Sequence, residues 1–201
     1  MKEKLELRMY GLVPYNISPI QQAIQFAHAV VEYGQKMKYL GELALQGSHN
    51  QSLNTQYNDW ADSWKTLIIL NGGTSNHSIN RYHQTDEPFI GTMESNLITL
   101  EQNDVEIATF YEPDLNDMLS AVVFIVDERV FNKKKYPDFE DWVIENYGGL
   151  INGNGSSYQI TRRIKESNSK EDQKIYQSWV KIIGGEKNVF LRDFLKNFRL
   201  A

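Results

Sequence analysis

Two carboxylates flank a proline at Glu112-Pro113-Asp114. An acid there can polarise a water or accept hydrogen bonds from ribose hydroxyls. The same three residues also suit an ordinary turn, in which Asp and Pro fix the backbone locally. His28, between Ala27 and Ala29, can orient water or a ligand, or serve as a core histidine with one hydrogen-bond partner. Gln21, Gln22 and Gln25 form a polar cluster near it, suited to plain exposure or to an anion- or base-reading edge at a helix N-terminus. Asn71-Gly72-Gly73-Thr74-Ser75-Asn76 has glycines that let a backbone approach an anion closely. It lacks the Lys-Ser/Thr of a P-loop and is not a GxGxxG, so a simple turn is its other reading. His49, His77 and His83 follow no metal-ligand spacing, and no metal or cofactor is expected. The chain has no cysteine, which excludes disulfides, thiolate zinc sites and cysteine nucleophiles.

The elements that must position these residues follow from hydropathy patterning. Residues 5–13 alternate, with Leu5, Leu7 and Met9 on one face, and read as a strand. Ser18-Pro19 reads as an N-cap followed by a proline at the first helical position. Ile20, Ala23, Ile24, Ala27 and Val31 then recur at helical spacing and predict a helix packed on a sheet through that stripe. Gly34 marks its end, or the helix runs past Gly41 to about residue 45. Residues 47–58, rich in Ser, Asn and Gln, read as a loop. Trp60 and Trp64, four apart, suggest a short helix or the approach to the next strand. Residues 66–70 predict a buried strand ending in the Asn71-Gly72-Gly73 turn. Residues 93–102 predict a helix, 105–111 a third strand, 112–117 the acidic turn and 119–126 a fourth strand. Such an order gives an α/β fold with a mixed sheet.

Beyond Asp127 the pattern turns helical. A helix opens at Asp138 to Trp142, residues 148–158 read as a Gly-, Asn- and Ser-rich loop, and 170–183 form a helix with Ile175, Trp179, Ile182 and Ile183 as its stripe. Phe190, Leu191, Phe194, Leu195 and Phe198 extend helical spacing to the last residues. The expected organisation is an α/β core over 1–129 and a helical extension over 130–201, packed on that core.

Two segments carry a family resemblance. Gln25-Phe26-Ala27-His28-Ala29, on the helix after the first strand, is similar to the Gln-x-Ala-His-Ala run of type II peptidyl-tRNA hydrolases. Phe110-Tyr111-Glu112-Pro113-Asp114-Leu115, followed by Leu119-Ser120-Ala121-Val122-Val123, resembles that family's last hairpin, where an acidic turn leads into a strand opening with Thr or Ser. Trp64 to Leu70 looks like its second strand. The resemblance spans roughly residues 5–128. It implies a three-layer α/β/α sandwich with a mixed sheet of about four strands, and hydrolysis of the ester joining a peptide to tRNA. It further implies a catalytic role for Glu112 or Asp114, with His28 assisting and Gln21 and Gln22 contacting substrate. Gln25, Asn71, Gly72, Gly73 and Ser120 complete the set of ligand-binding candidates. The family also places a lysine just before this helix. Here Ser18-Pro19-Ile20-Gln21-Gln22 holds no cation, and Lys65 and Arg81 are the possible substitutes.

The net charge is −5. Phosphate neutralisation drives most nucleic-acid affinity, so contact with tRNA requires a local patch. Lys133-Lys134-Lys135, Arg162-Arg163 with Lys165, and Arg192, Lys196 and Arg199 are the candidates, each also readable as solvated charge. Absence of the lysine and the acidic balance leave an alternative open: a non-catalytic protein on the same fold that binds a nucleotide or nucleotide-type signal, such as a viral or mobile-element anti-defence factor. A homodimer is a third expectation, with Phe190, Phe194 and Phe198 docking on a second copy. The N-terminal residues have no apolar signal core, and the longest apolar run, Ala121 to Val126, is too short to span a bilayer. A cytoplasmic protein without a membrane partner is expected.

Overall fold

The computed structural model describes residues 4–43, 48–75, 91–151 and 157–201. The chain divides into two compact units, one formed by Met1–Asp127 with Lys196–Ala201 and the other by Glu128–Leu195.

The first unit is an α/β sandwich. Its four strands, β1 (Leu7–Pro14), β2 (Thr66–Gly73), β3 (Ile107–Glu112) and β4 (Met118–Asp127), lie in the order β2-β1-β4-β3. β1 and β2 run parallel, while β4 runs antiparallel to β1 and β3. β4 is central and all ten of its residues are buried, which explains its unbroken apolar and β-branched run. Helix α1 (Pro19–Leu43) covers one face and α3 (Thr92–Gln102) the other. Leu7, Met9 and Val13 of β1 pack with Phe26, Ala29, Tyr33 and Met37 of α1. Gly11 lies on that face, and a methyl group there would fall inside the Phe26 ring.

The buried stripe of α1 is not the one that hydropathy alone selects. Ile20, Ile24 and Val31 are exposed, at 74%, 46% and 57%, and Ala23 and Ala27 are exposed as well. The helix instead turns Gln25, Phe26, Ala29, Tyr33 and Met37 inward. Aromatic bulk and one polar anchor decide the rotation, against the β-branched residues.

Residues 48–59 form a helix, α2 (Ser48–Asp59), and not a loop. Its polar composition hides it. It forms because Leu53 and Tyr57 pack against the core shared with α1, where tertiary burial outweighs local preference. Gly34 and Gly41 of α1 are part of the reason: a Cβ at Gly34 would lie 2.6 Å from the Tyr57 hydroxyl, and one at Gly41 would strike Asn54. They are helix-interior contact points. A π turn, Trp60–Trp64, follows and closes with the Lys65 N–H on the Trp60 carbonyl at 2.9 Å.

β2 is an edge strand and not a fully buried one; only Leu70 and Gly72 of its residues are buried. Its outer edge is met by the last residues of the chain. Leu200 pairs antiparallel with Leu70, the Asn71 N–H donates to the Arg199 carbonyl at 2.9 Å, and the Ala201 N–H donates to the Ile69 carbonyl at 3.1 Å.

The second unit contains α4 (Glu128–Phe131), α5 (Phe139–Ile151), α6 (Ser157–Glu166), α7 (Lys170–Ile183) and α8 (Glu186–Leu195). Phe139, Trp142, Val143, Ile164, Trp179, Val180, Ile183 and Val189 form its core. Residues 148–151 are helical beyond a break in α5 at Tyr147 (φ −134°), and 157–158 open α6, so the loop expected over 148–158 is helical at both ends. Ile182 of the expected stripe is 44% exposed, because Val180 takes the inward position. The helical spacing of the phenylalanines does not reach the end of the chain: α8 stops at Leu195. Phe194 is 7% exposed and packs on Phe190 with ring centroids 5.4 Å apart, so it is no free docking residue. Arg192 is likewise no surface cation. At 3% exposure it donates to the Arg129 and Tyr136 carbonyls, at 2.9 and 2.7 Å, and pairs with Asp138 at 3.0 Å.

Candidate functional site

The carboxyl ends of β1, β2 and β3 lie at one end of the sheet, with the start of β4 and the N-terminus of α1. Open α/β sheets place ligands at such ends. There β3 and β4 fall out of step. Phe110 pairs with Ala121, but Tyr111 pairs with Leu119, and Ser120 is left as the extra residue of a β-bulge. A bulge re-aims a side chain. Ser120 accordingly faces α1 together with Ala121. It is fully buried, with Oγ 3.2 Å from Gln25 Oε1 and 3.0 Å from the Phe110 carbonyl. One hydroxyl hydrogen serves those two acceptors.

Gln25 is 5% exposed and carries the chain outward, its Nε2 donating to Glu112 Oε2 at 2.5 Å. The other carboxylate oxygen accepts from the Asp114 N–H at 3.3 Å, where Glu112 caps the short 3-10 turn Pro113–Leu115. Asn116 and Asp117, both left-handed at φ 57° and 55°, then turn the chain into β4. Each bond fixes the carboxylate from a different side: Gln25 from the core, Asp114 from the turn. Glu112 is half-buried and keeps acceptor capacity for a further donor.

Neighbouring residues sort by face. His28, one turn after Gln25, is exposed and lies against the Phe110 ring, centroids 4.5 Å apart at 60°. It is therefore a surface histidine over an aromatic ring and not a buried core residue. Tyr111 points to the α3 side, where burial, then the Glu101 and Glu94 carboxylates, raise its phenol above the ordinary value. Asp114 is exposed.

Other residues singled out by sequence do local work. Gln21 and Ser18 form a reciprocal cap: the Ser18 N–H donates to Gln21 Oε1 at 3.1 Å, and the Gln21 N–H to Ser18 Oγ at 3.3 Å. Gln22 Nε2 donates to the Pro14 carbonyl at 2.9 Å and pins the helix start to the end of β1. Asn71, Gly72 and Gly73 are the last residues of β2 and not the expected turn, because they stay paired with Val13 and Pro14 of β1. There the Gly73 N–H donates to Asn71 Oδ1 at 2.9 Å, the Gly72 carbonyl accepts from Asn96 at 3.1 Å, and the Thr74 N–H donates to Thr92 Oγ1 at 2.6 Å. Gly72 and Gly73 thus meet α3, and Gln25, Glu112 and Ser120 sit under α1. Lys65 lies before the first residue of β2, at the opposite end of the sheet from Glu112, and is not the substitute cation. Arg81, His77, His83 and Asn76 lie outside the described residues, as does the side chain of His49. Among the described residues no group of three His, Asp or Glu side chains is arranged to hold a metal ion.

The Phe110 ring beneath His28 was not foreseen, although an aromatic two residues before Glu112, and so on the same strand face, was its signal. Comparison with known protein families, with curated proteins and with solved structures finds no match to this chain. Among the described residues no helix is long and apolar enough to cross a membrane.

Proposed function

We propose that this is a peptidyl-tRNA hydrolase-like protein that recognises the aminoacyl or peptidyl ester end of tRNA at Glu112. The observation that carries this reading is the buried relay Ser120–Gln25–Glu112, which holds an acceptor carboxylate at the strand ends. The α/β sandwich with its four-stranded mixed sheet supports it. A fixed carboxylate with spare lone pairs suits the hydroxyls of a terminal ribose, and the exposed His28 ring offers a flat surface on which a base can stack. The partner that holds Glu112 from the core is a neutral amide, which favours recognition over turnover.

Binding of an N-acetylated aminoacyl-tRNA, followed by fluorescence anisotropy, tests this. Glu112→Ala should weaken it about tenfold or more, the scale of a lost hydrogen bond to a charged group. Equal binding by the two proteins would overturn the reading. Stronger binding of free nucleotides than of tRNA would instead favour the nucleotide-signal alternative.

Hydrolysis is the second reading, favoured by the exposed imidazole one turn from Gln25. In it Glu112 takes a proton from water, and the water oxygen bonds to the ester carbonyl carbon. The bond to the ribose oxygen breaks, and Glu112 returns the proton to that oxygen. Release of free tRNA at micromolar protein supports turnover; none after long incubation removes it.

A further inference from the structure

RNA carries a phosphate at every step, and the Glu112 relay offers it no cation. The glycine end of β2 does not offer a substitute, because the Gly73 and Thr74 N–H groups already donate to Asn71 and Thr92. Anion binding at this end of the sheet therefore needs a side chain. Several cations are already committed elsewhere: Lys4 pairs with Asp59, Arg8 with Glu6, Lys36 with Glu106, and Arg192 is buried on Asp138.

The last residues of the chain bring one to the right place. Leu200 lies opposite Leu70, so Arg199 lies opposite Asn71, near the carboxyl end of β2. Directly opposed residues share a face. Ile69 packs into the core under α1, and Asn71, two residues on, faces the same way. Register thus puts Arg199 on the α1 face, the face of Gln25 and Glu112. Its side chain is exposed, and among the described residues no partner holds it. Its part in the fold is a backbone bond, through the carbonyl that accepts from Asn71.

We infer that Arg199 is a phosphate-binding residue for the RNA that enters the Glu112 site. Four strand spacings separate the terminal segment from β3, about 19 Å. Arg199 therefore meets the backbone a few nucleotides away from the end held at Glu112. A guanidinium suits this task, since its planar donors match two phosphate oxygens. The inference rests on the tRNA reading and assigns the positive charge which that reading lacks.

The test is the salt dependence of binding of N-acetylated aminoacyl-tRNA to the full-length protein, for wild type, Arg199→Ala, Arg199→Lys and Glu112→Ala. Releasing one fewer counterion should reduce the slope of log K against log salt by about 0.7, the single-strand value. At 0.1 M salt that corresponds to about fivefold weaker binding. Arg199→Lys should recover the slope, and the melting temperature of Arg199→Ala should match wild type. An unchanged slope in Arg199→Ala overturns the inference. If Glu112→Ala then still weakens binding, the functional reading survives without it. A reduced slope in Arg199→Ala beside an unaffected Glu112→Ala would keep the RNA contact and remove Glu112 from it. Failure of the wild type to bind any tRNA overturns both.

Discussion

Ser120 and Gln25 are polar groups inside a core, and each is held by the other. Burying an amide without partners costs about 1–3 kcal/mol in proteins. Ser120→Ala removes the donor to Gln25 Oε1 and to the Phe110 carbonyl while leaving the Gln25 amide buried. It should lower unfolding stability by about 1–3 kcal/mol in urea titration, and it should loosen Glu112 as well. No stability change would show that the relay is not intact in solution. The members of this relay were legible in sequence one by one, because Gln25 and Ser120 lie in the two segments that resemble a known family. Their connection was not. It depends on a bulge that shifts β3 against β4 by one residue, and no residue type announces that shift. Gln21 and Gln22 looked equivalent to Gln25 in sequence. A helix gives each a different direction, so one caps, one pins and only Gln25 reaches the acid.

Among the elements, α1 separates pattern from packing most clearly. Its β-branched stripe predicts an inward face, yet Ile24 is exposed and Phe26 is buried beside Gly11. Ile24→Ser should therefore change stability by no more than about 0.5 kcal/mol, as for an ordinary surface site. Gly11→Ala should cost about 1–3 kcal/mol, the scale of an overpacked core, because the new methyl meets the Phe26 ring. Chemical denaturation of the two variants checks both values. A large loss from Ile24→Ser with a small one from Gly11→Ala would reverse the assigned rotation of α1. The strands were easier to read, since period-two alternation and the apolar run of β4 are local signals. α2 was hidden because it draws its stability from Tyr57 and Leu53 against α1, which a polar window does not reveal.

At the scale of the whole molecule, the chain leaves the first unit at Asp127 and rejoins it at Lys196. The change of character near residue 130 was visible in composition, but the return was not, since three residues pairing with an edge leave no periodic signal. Burial raises the Tyr33 phenol well above its ordinary value of 10.0, with the Glu106 carboxylate adding to the shift. The folded state thus holds that proton to higher pH than the unfolded chain. Its contribution to stability is complete below about pH 10 and falls as pH rises beyond it. Tyr33→Phe should flatten the alkaline part of a melting-temperature profile; an unchanged profile would contradict that burial. The most direct measurement of the central claim is the affinity of N-acetylated aminoacyl-tRNA for wild type and Glu112→Ala, compared with the same tRNA deacylated. Recognition of the ester end at Glu112 predicts that wild type prefers the acylated form and that the variant loses both the preference and about tenfold or more in affinity. Equal affinities across all four combinations would contradict it.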